Sequence, residues 1–321
     1  CAHPTEAYTF ITGISTGLVK VWNLSGNTRE VTGVLSLEKK PPTAISFIND
    51  TTMAVAVDRS DTGGKSGAVF LVELKPADAV AVTGGRQLAG SSSRELKIVK
   101  KIHNIGKAAV TGIQLSPDGK TLACCSGDGS VYFFDTTKDY APAGSAICHQ
   151  NVPVVSCDWS TDSAYLRAFG PTTINDQVMK LSFFSYEFGA EEPVTGLKDD
   201  VELDPINRTV LWASASSPAA FEAAGCHPAS MPGVGALKGE MSEATGLPTV
   251  TSITVDARRI VKYLAAGYTD GSTKLFKFPC VANQSSTVSQ TQSSNPVKVC
   301  FLAGGALVSI SDADGSLAVY E

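Results

Sequence analysis

Residues 121–135 read "TLACCSGDGSVYFFD". Two apolar segments with alternating side chains flank a Gly-Asp-Gly turn. Glycine supplies the positive backbone dihedral that tight turns between paired strands require. The stretch therefore predicts a β-hairpin that packs within a larger sheet.

The same pattern recurs five more times along the chain. The copies are "TFITGISTGLVKVWNL" (9–24), "TMAVAVDRSDTGGKSGAVFLVEL" (52–74), "AYLRAFGPTTINDQVMKLSFFS" (164–185), "YLAAGYTDGSTKLFKF" (263–278) and "ALVSISDADGSLAVYE" (306–321). Most copies follow another apolar segment, such as "TAISFIND", "VTGIQLSPDGK" or "VKVCFLAGG". Units of three to four strands, recurring about every forty residues, are typical of β-propeller blades. We therefore predict an all-β propeller over 1–321 with six visible blades.

Several segments set the expected domain organisation. The first unit is expected to begin mid-blade, at its third strand near Tyr8, and the last to end on a fourth strand at Tyr320. The missing strands would lie upstream or elsewhere in a longer protein, since the chain begins with Cys1. A seventh blade would lie within 187–250 or upstream. Loops are predicted at 79–95 and 283–294, and an insertion within a blade at 214–248.

Composition excludes several classes of protein. Of 321 residues, 43% are apolar and 18% are charged, which supplies a core and excludes a disordered chain. No apolar run is long enough for a membrane span, and no signal peptide is evident. A net charge of -5 argues against nucleic-acid binding. We expect a cytoplasmic protein without a membrane or nucleic-acid partner.

No group of residues predicts an enzyme, a cofactor or a metal site. "DTGGKSG" (61–67) lacks the first glycine of a phosphate loop and precedes a strand instead of a helix. The four histidines lie outside any nucleophile motif. Cys226-His227 has no partner pair, and the acidic residues of 199–202 lack calcium-loop spacing. Most of the eight cysteines are expected to be reduced core residues.

Positive charge concentrates in "RELKIVKK" (94–101) and "DARRIVK" (256–262). Both fit segments at blade edges, where they could contact an acidic protein surface. An equally valid interpretation is that these are lysines at a sheet edge that discourage aggregation. The candidate partner-binding residues are Arg94, Lys97, Lys100, Lys101, Arg258, Arg259 and Lys262.

Three quoted stretches carry a family resemblance: "VTGIQLSPDGKTLACCSGDGSVYFFD", "VVSCDWSTDSAYLRAF" and "YLAAGYTDGSTKLFKFPC". In this order, with "DDVELDPINRTVLW" before the last, they resemble the C-terminal WD40 propeller of echinoderm microtubule-associated protein-like (EMAP-like) proteins. The resemblance covers roughly residues 107–321. It implies a non-catalytic interaction propeller that binds tubulin or microtubules, in the cytoskeleton or a ciliary axoneme. A WD40 scaffold for actin or for a signalling complex is the alternative.

The sequence also departs from the WD40 pattern. Trp22 is followed by Asn23, Phe134-Asp135 is the nearest other match to Trp-Asp, and Gly-His pairs are absent. The hydrogen-bonded His/Asp/Trp networks that brace many such blades should therefore be mostly missing. We expect blades held chiefly by apolar packing.

Overall fold

The computed structural model describes most of the first half of the chain and parts of the second. The described residues are 1–24, 29–58, 66–76, 94–148, 153–154, 156–159, 162–174, 177–187, 250–255, 262–268, 270–278, 285–290, 297–303, 305–311 and 316–320. The predicted insertion at 214–248 lies outside them, and of the stretch 187–250 expected to hold a seventh blade only Glu187 and Val250 are described.

Within these residues the strands form six antiparallel sheets, numbered here in chain order. Sheet 1 contains β1 (Thr9–Ile14), β2 (Leu18–Asn23) and β3 (Glu30–Ser36). Sheet 2 contains β4 (Pro42–Asn49), β5 (Thr52–Val57), β6 (Gly67–Pro76) and β7 (Arg94–Ile105). Sheet 3 contains β8 (Val110–Leu115), β9 (Thr121–Ser126), β10 (Ser130–Asp135) and β11 (Ala141–Ile147), with a 3-10 turn at Thr136–Lys138.

The remaining strands lie in the second half of the chain. Sheet 4 contains β12 (Ser156–Trp159), β13 (Tyr165–Ile174) and β14 (Gln177–Glu187). Sheet 5 contains β15 (Val250–Val255), β16 (Lys262–Tyr268), β17 (Ser272–Phe278) and β18 (Ser285–Gln290). Sheet 6 contains β19 (Val297–Phe301), β20 (Leu307–Ser311) and β21 (Leu317–Tyr320).

All six predicted hairpins are present, each within one of the six sheets. The turns behave as the residue types require. Gly271 has a φ of 81°, and the Asp270 carboxylate accepts hydrogen bonds from the Ser272 N–H (2.9 Å) and hydroxyl (2.6 Å). Asp270-Gly271 is therefore fully explained as a turn.

The sheets are joined face to face by apolar clusters. Separate clusters connect sheets 1 and 2, sheets 2 and 3, sheets 3 and 4, sheets 5 and 6, and sheets 6 and 1. The first strands of successive sheets also contact one another, as β4 does β8 and β15 does β19. Hydroxyl groups reinforce these inner contacts, since Thr43 donates to the Val110 carbonyl and Thr111 to the Val154 carbonyl. This radial arrangement is that of a β-propeller and confirms the predicted fold class.

The strand positions at both ends of the chain differ from the prediction. Residues 1–3 run along the free side of β1, where Ala2 bridges Phe10 and Cys1 exchanges backbone hydrogen bonds with Ile11. Sheet 1 also continues beyond the first hairpin to β3, so β2 is not the last strand of its sheet as the prediction required. At the other end, β21 is the third described strand of sheet 6 instead of a fourth.

Two predicted loops are wrong in part. Arg94 and Glu95, assigned to the loop at 79–95, form the first pairs of β7 with β6. Residues 285–290, assigned to the loop at 283–294, form β18 and pair with β17. Both strands lie at the outer edge of a sheet, where few apolar positions are required and the sequence pattern is correspondingly weak.

Candidate functional site

The basic segment 94–101 begins β7, the outermost strand of sheet 2. Its alternating side chains pack on both sides: Leu96 enters the cluster between sheets 1 and 2, and Ile102 enters the cluster between sheets 2 and 3. The register shifts between Ile98 and Lys100, so Val99 lies at a β-bulge and is 51% exposed. The predicted basic patch is thus an outer sheet edge, as the sequence suggested.

Arg94 forms an ion pair with another residue of the chain. Its Nη2 atom lies 2.5 Å from Oε2 of Glu6, and the arginine side chain is only 16% exposed. Burial alone would raise the pKa of Glu6, but the hydrogen bonds from Arg94 and Thr9, together with the charge of Arg94, outweigh it and hold that pKa below its ordinary value. Arg94 therefore ties the N-terminal segment to sheet 2.

Lys100 also forms an ion pair with another residue of the chain. Its Nζ atom lies 2.6 Å from Oδ2 of Asp139 and 2.5 Å from the Asp139 carbonyl oxygen. The Tyr140 ring centroid is 6.0 Å from the same nitrogen. Lys100 therefore links sheet 2 to the turn between β10 and β11 of sheet 3, a structural role that limits its use by a partner.

Lys97 and Lys101 are exposed on β7. Lys97 lies across from Glu73, which pairs with Lys75 at 2.9 Å. Lys101 places its Nζ atom 5.0 Å from the Phe70 ring centroid. Of the four predicted residues on this strand, these two present their charge at the surface.

The second basic segment is only partly described. Arg258 and Arg259 lie outside the described residues. Lys262 begins β16, an inner strand of sheet 5 that pairs with β15 and β17. Lys97 and Lys101 therefore share one strand but lie on opposite faces of sheet 2, Lys97 on the side of sheet 3 and Lys101 on the side of sheet 1. Lys262 belongs to a different sheet.

The other candidate sites considered in the sequence either lead into a strand or lie outside the described residues. Gly67 is the first residue of β6, so the "DTGGKSG" segment leads into a strand as predicted. Cys226-His227 and the acidic residues of 199–202 lie outside the described residues. Where the chain is described, no group of three or more His, Cys, Asp or Glu side chains could hold a metal ion. Nor does the described structure contain a helix long and apolar enough to cross a membrane.

Buried cysteines gather at the interface of sheets 3 and 4. Cys125, Cys148 and Cys157 belong to one apolar cluster. Cys124, next to Cys125 on β9, packs on the opposite face of sheet 3 in the cluster between sheets 2 and 3. Burial raises the pKa of Cys148 to about 12 and raises that of Cys125 well above its ordinary value. All four are free thiols, in agreement with the predicted reduced core cysteines.

Sheet 3 contains a polar network that the sequence did not predict. Oδ2 of Asp128 accepts hydrogen bonds from the Lys107 N–H (2.7 Å) and the Tyr132 hydroxyl (2.8 Å), and Oδ1 accepts one from the Ser130 N–H (3.0 Å). Burial opposes ionisation, but these donors hold the pKa of Asp128 below its ordinary value. A tyrosine thus takes part in a polar network although the His/Asp/Trp networks of other blades were expected to be mostly missing, and this blade does not depend on apolar packing alone.

Comparisons with known proteins agree with the fold. Residues 85–135 match the family described as "WD domain, G-beta repeat", so this segment of the chain contains a WD40 repeat. The chain is 27% identical over 198 residues to "Ciliary WD repeat-containing protein ctxp80" of Euplotoides octocarinatus, covering 57% of this chain and 25% of that protein. It is 30% identical over 112 residues to "Cilia- and flagella-associated protein 44" of Mus musculus, covering 35% of this chain and 6% of that protein.

These relatives bear on the resemblance to EMAP-like proteins. The chain spans a quarter or less of the length of either relative. Both carry ciliary names, and neither is named as an EMAP-like protein. The resemblance is therefore confirmed at the level of the WD40 repeat, and membership of the narrower family stays a prediction.

Proposed function

We propose that this chain is a non-catalytic WD40 interaction domain of a ciliary, microtubule-associated protein, with tubulin as its partner. The observation that carries the proposal is the 198-residue similarity to a ciliary WD-repeat protein. A propeller of packed sheets is a rigid body, and its rims and outer strands can dock on another protein without a change in fold.

The outer edge of β7 is the proposed contact. Lys97 and Lys101 flank this edge with exposed side chains on opposite faces of the sheet, and Val99 at the bulge is an exposed apolar residue of the same strand. Such an edge complements an acidic protein surface, which tubulin would provide. Charge complementarity of this kind mainly speeds and orients docking, so binding should weaken as salt rises. Arg94 and Lys100 would support the strand through Glu6 and Asp139 instead of contacting the partner.

The experiment is co-sedimentation with microtubules and with actin filaments in parallel, at low and high salt. The test variant is Lys97→Glu combined with Lys101→Glu. The matched control is Lys298→Glu, an exposed lysine of β19 in sheet 6. We expect pelleting with microtubules that salt weakens and that the double variant reduces at least about tenfold, while the control binds as the original chain does.

Other results would redirect the proposal. Pelleting with actin alone would favour the actin scaffold. Failure to pellet with microtubules would contradict tubulin binding by this domain. Microtubule binding that both variants retain equally would leave the partner in place and move the contact away from β7.

A further inference from the structure

A polar pocket opens at one end of the interface between sheets 3 and 4. Its volume is about 290 Å³. Thr121 and Asp135 pair across β9 and β10 and line the pocket on the face of sheet 3 that carries the cluster shared with sheet 4. Ser163, in the turn that leads into β13 of sheet 4, lines it as well. The pocket therefore lies between two blades.

The turn between β8 and β9 fixes one side of the pocket. Oδ1 of Asp118 accepts hydrogen bonds from the Ser116 hydroxyl (2.6 Å) and the Lys120 N–H (3.0 Å). The Asp118 N–H donates to the Ser163 hydroxyl (3.1 Å), which joins this turn to sheet 4. Burial would raise the pKa of Asp118, but the bonds from Ser116 and Lys120 hold it below its ordinary value. Oδ2 lies 3.6 Å from Nζ of Lys120, which is longer than a hydrogen bond.

A second carboxylate is fixed at the end of β10. Oδ1 of Asp135 accepts hydrogen bonds from the Thr137 N–H (2.9 Å) and hydroxyl (2.6 Å). Oδ2 lies 3.1 Å from Nζ of Lys138. The hydrogen bonds from Thr137 and Lys138 lower the pKa of Asp135 to about 2. Asp118 and Asp135 are thus both ionised at neutral pH and are held in place by their own turns.

The hydroxyl of Thr121 needs a partner from outside the fold. Thr121 is only 7% exposed and lines the pocket. Its backbone N–H donates to Oγ of Ser116 (2.9 Å), but its own Oγ1 atom makes no hydrogen bond with any residue that the structure describes. Buried hydroxyl groups are normally hydrogen-bonded, because an unpaired one loses its contacts with water without replacement. This hydroxyl is therefore available to an occupant of the pocket.

The free groups of the pocket favour a ligand with several N–H donors and a positive charge. Oδ2 of Asp118, the Asp135 carboxylate and the Thr121 hydroxyl can all accept hydrogen bonds. The side chains of Lys120 and Lys138 are 69% and 76% exposed, so their pairs with the carboxylates are weak and easily displaced. A guanidinium has five N–H donors in one plane and binds carboxylates through two parallel hydrogen bonds.

The size and lining of the pocket fit a side chain better than a cofactor. Small-molecule pockets usually occupy roughly 300–1,000 Å³ and are mostly apolar. This pocket lies just below that range, and its lining is polar apart from Ala143 of β11. A single long side chain from another protein can fill such a space, with its charged end at the two carboxylates.

We propose that this pocket binds an arginine side chain from a basic segment of a partner protein. The guanidinium would lie between Asp118 and Asp135, donating to Oδ2 of Asp118 and to the Thr121 hydroxyl. The pocket belongs to sheets 3 and 4 and takes a cation, so it does not depend on the acidic partner proposed for β7.

The test is an NMR titration of the isotope-labelled full chain with a synthetic peptide. The peptide has about ten glycine and serine residues around one central arginine. We expect saturable shifts of the amides of Lys120, Thr121, Thr137 and Ser163, with a Kd of roughly 0.1–1 mM. Citrulline in place of arginine keeps the shape and removes the charge, so it should weaken binding at least about tenfold. Lysine in its place should bind about threefold more weakly, because it lacks the planar fork.

Variants of the chain test the two carboxylates and the hydroxyl. Asp135→Asn removes the charge and keeps Oδ1 for the turn, and it should raise the Kd about tenfold. Asp270→Asn is the matched control, because Asp270 accepts hydrogen bonds from the Ser272 N–H (2.9 Å) and hydroxyl (2.6 Å) in the same kind of turn on sheet 5. Its Kd should not change. Thr121→Val removes only the unpaired hydroxyl, so it should fold normally and raise the Kd about threefold.

Several results would overturn the proposal. They are the absence of saturable shifts, shifts confined to other parts of the chain, and binding of the citrulline or lysine peptide as tight as that of the arginine peptide. Equal effects of Asp135→Asn and Asp270→Asn would also overturn it. The amide spectrum of each variant shows whether it is folded, and Thr121→Val tests the site without altering either turn.

Discussion

The two faces of β3 lie in contrasting surroundings although both carry aliphatic side chains. Leu35 packs into the cluster between sheets 1 and 2, whereas its neighbour Val34 is 54% exposed toward sheet 6. The local sequence is similar on both sides, and the difference comes from the neighbouring sheet. Sheet 2 provides β7 as a fourth strand, and sheet 6 ends at β21 within the residues described. Burial at the rim of this propeller is thus decided by how many strands the adjacent sheet contributes.

The interface between sheets 1 and 2 and the interface between sheets 6 and 1 should lose similar stability when a buried side chain is removed. Phe70 is 1% exposed between sheets 1 and 2, and Phe10 is 2% exposed between sheets 6 and 1. Phe70→Ala and Phe10→Ala should each lower the free energy of unfolding by about 3–5 kcal/mol. Urea denaturation followed by circular dichroism measures both. A loss below about 1 kcal/mol for Phe10→Ala alone would show that sheets 1 and 6 are not packed together in solution.

At the outer strands, the stability lost on side-chain truncation should differ between the two interfaces. Leu96 of β7 is 9% exposed against sheet 1, so Leu96→Ala should cost about 2–4 kcal/mol. Val34→Ala removes an exposed side chain and should cost less than about 0.5 kcal/mol. The same denaturation experiment compares them. Equal losses would mean that the face of β3 toward sheet 6 is covered after all.

Gly33 tests how closely β7 approaches β3. A methyl group there would meet Leu96 at 2.5 Å and the Arg94 carbonyl oxygen at 3.0 Å, so Gly33→Ala should destabilise the fold by about 1–3 kcal/mol. Shortening the neighbour with Leu96→Ala makes room, and the double variant should lose less than the sum of the two single losses. Strict additivity in the denaturation measurement would contradict this contact.

The ion pair between Glu6 and Arg94 should make a small, pH-dependent contribution to the stability of the fold. The pKa of Glu6 is lowered, so its contribution is present above the ordinary carboxyl pKa of 4.5 and is lost as the pH falls through the lower folded value. Because Glu6 is 37% exposed, solvent screening limits this to about 0.5 kcal/mol. Glu6→Gln should be slightly less stable than the original chain at about pH 7 and equal to it at about pH 2. A difference that grows on acidification would contradict the pairing.

The sequence predicts the hairpins well because their signals are local. A turn such as Asp270-Gly271 needs only neighbouring residues, and the alternation on either side fixes two strands. Strands β11 and β18, "APAGSAI" and "SSTVSQ", carry little alternation because an edge strand needs few buried side chains. Pattern alone could not identify them as strands.

The candidate sites depend on contacts that are distant in sequence. Arg94 and Lys100 looked available in a basic run, but they bind Glu6 and Asp139, 88 and 39 residues away. No local pattern reveals such partners. The exposure of Val31 and Val34 likewise depends on sheet 6, at the opposite end of the chain. A valine at each of these positions is an ordinary strand residue until the neighbouring sheet is known.

The most direct test of the exposed face of β3 is amide hydrogen exchange along β21, followed residue by residue by NMR on the full chain. The N–H groups of Ala318 and Tyr320 point to β20 and should exchange slowly, whereas those of Leu317 and Val319 point outward and should exchange quickly. The N–H groups of Val69 to Glu73 in β6, where this strand is paired on both sides, should all be slow. Alternating fast and slow amides on β21 would confirm an open edge beside Val31 and Val34. Uniform protection of Leu317 to Tyr320 would show that another strand already covers it.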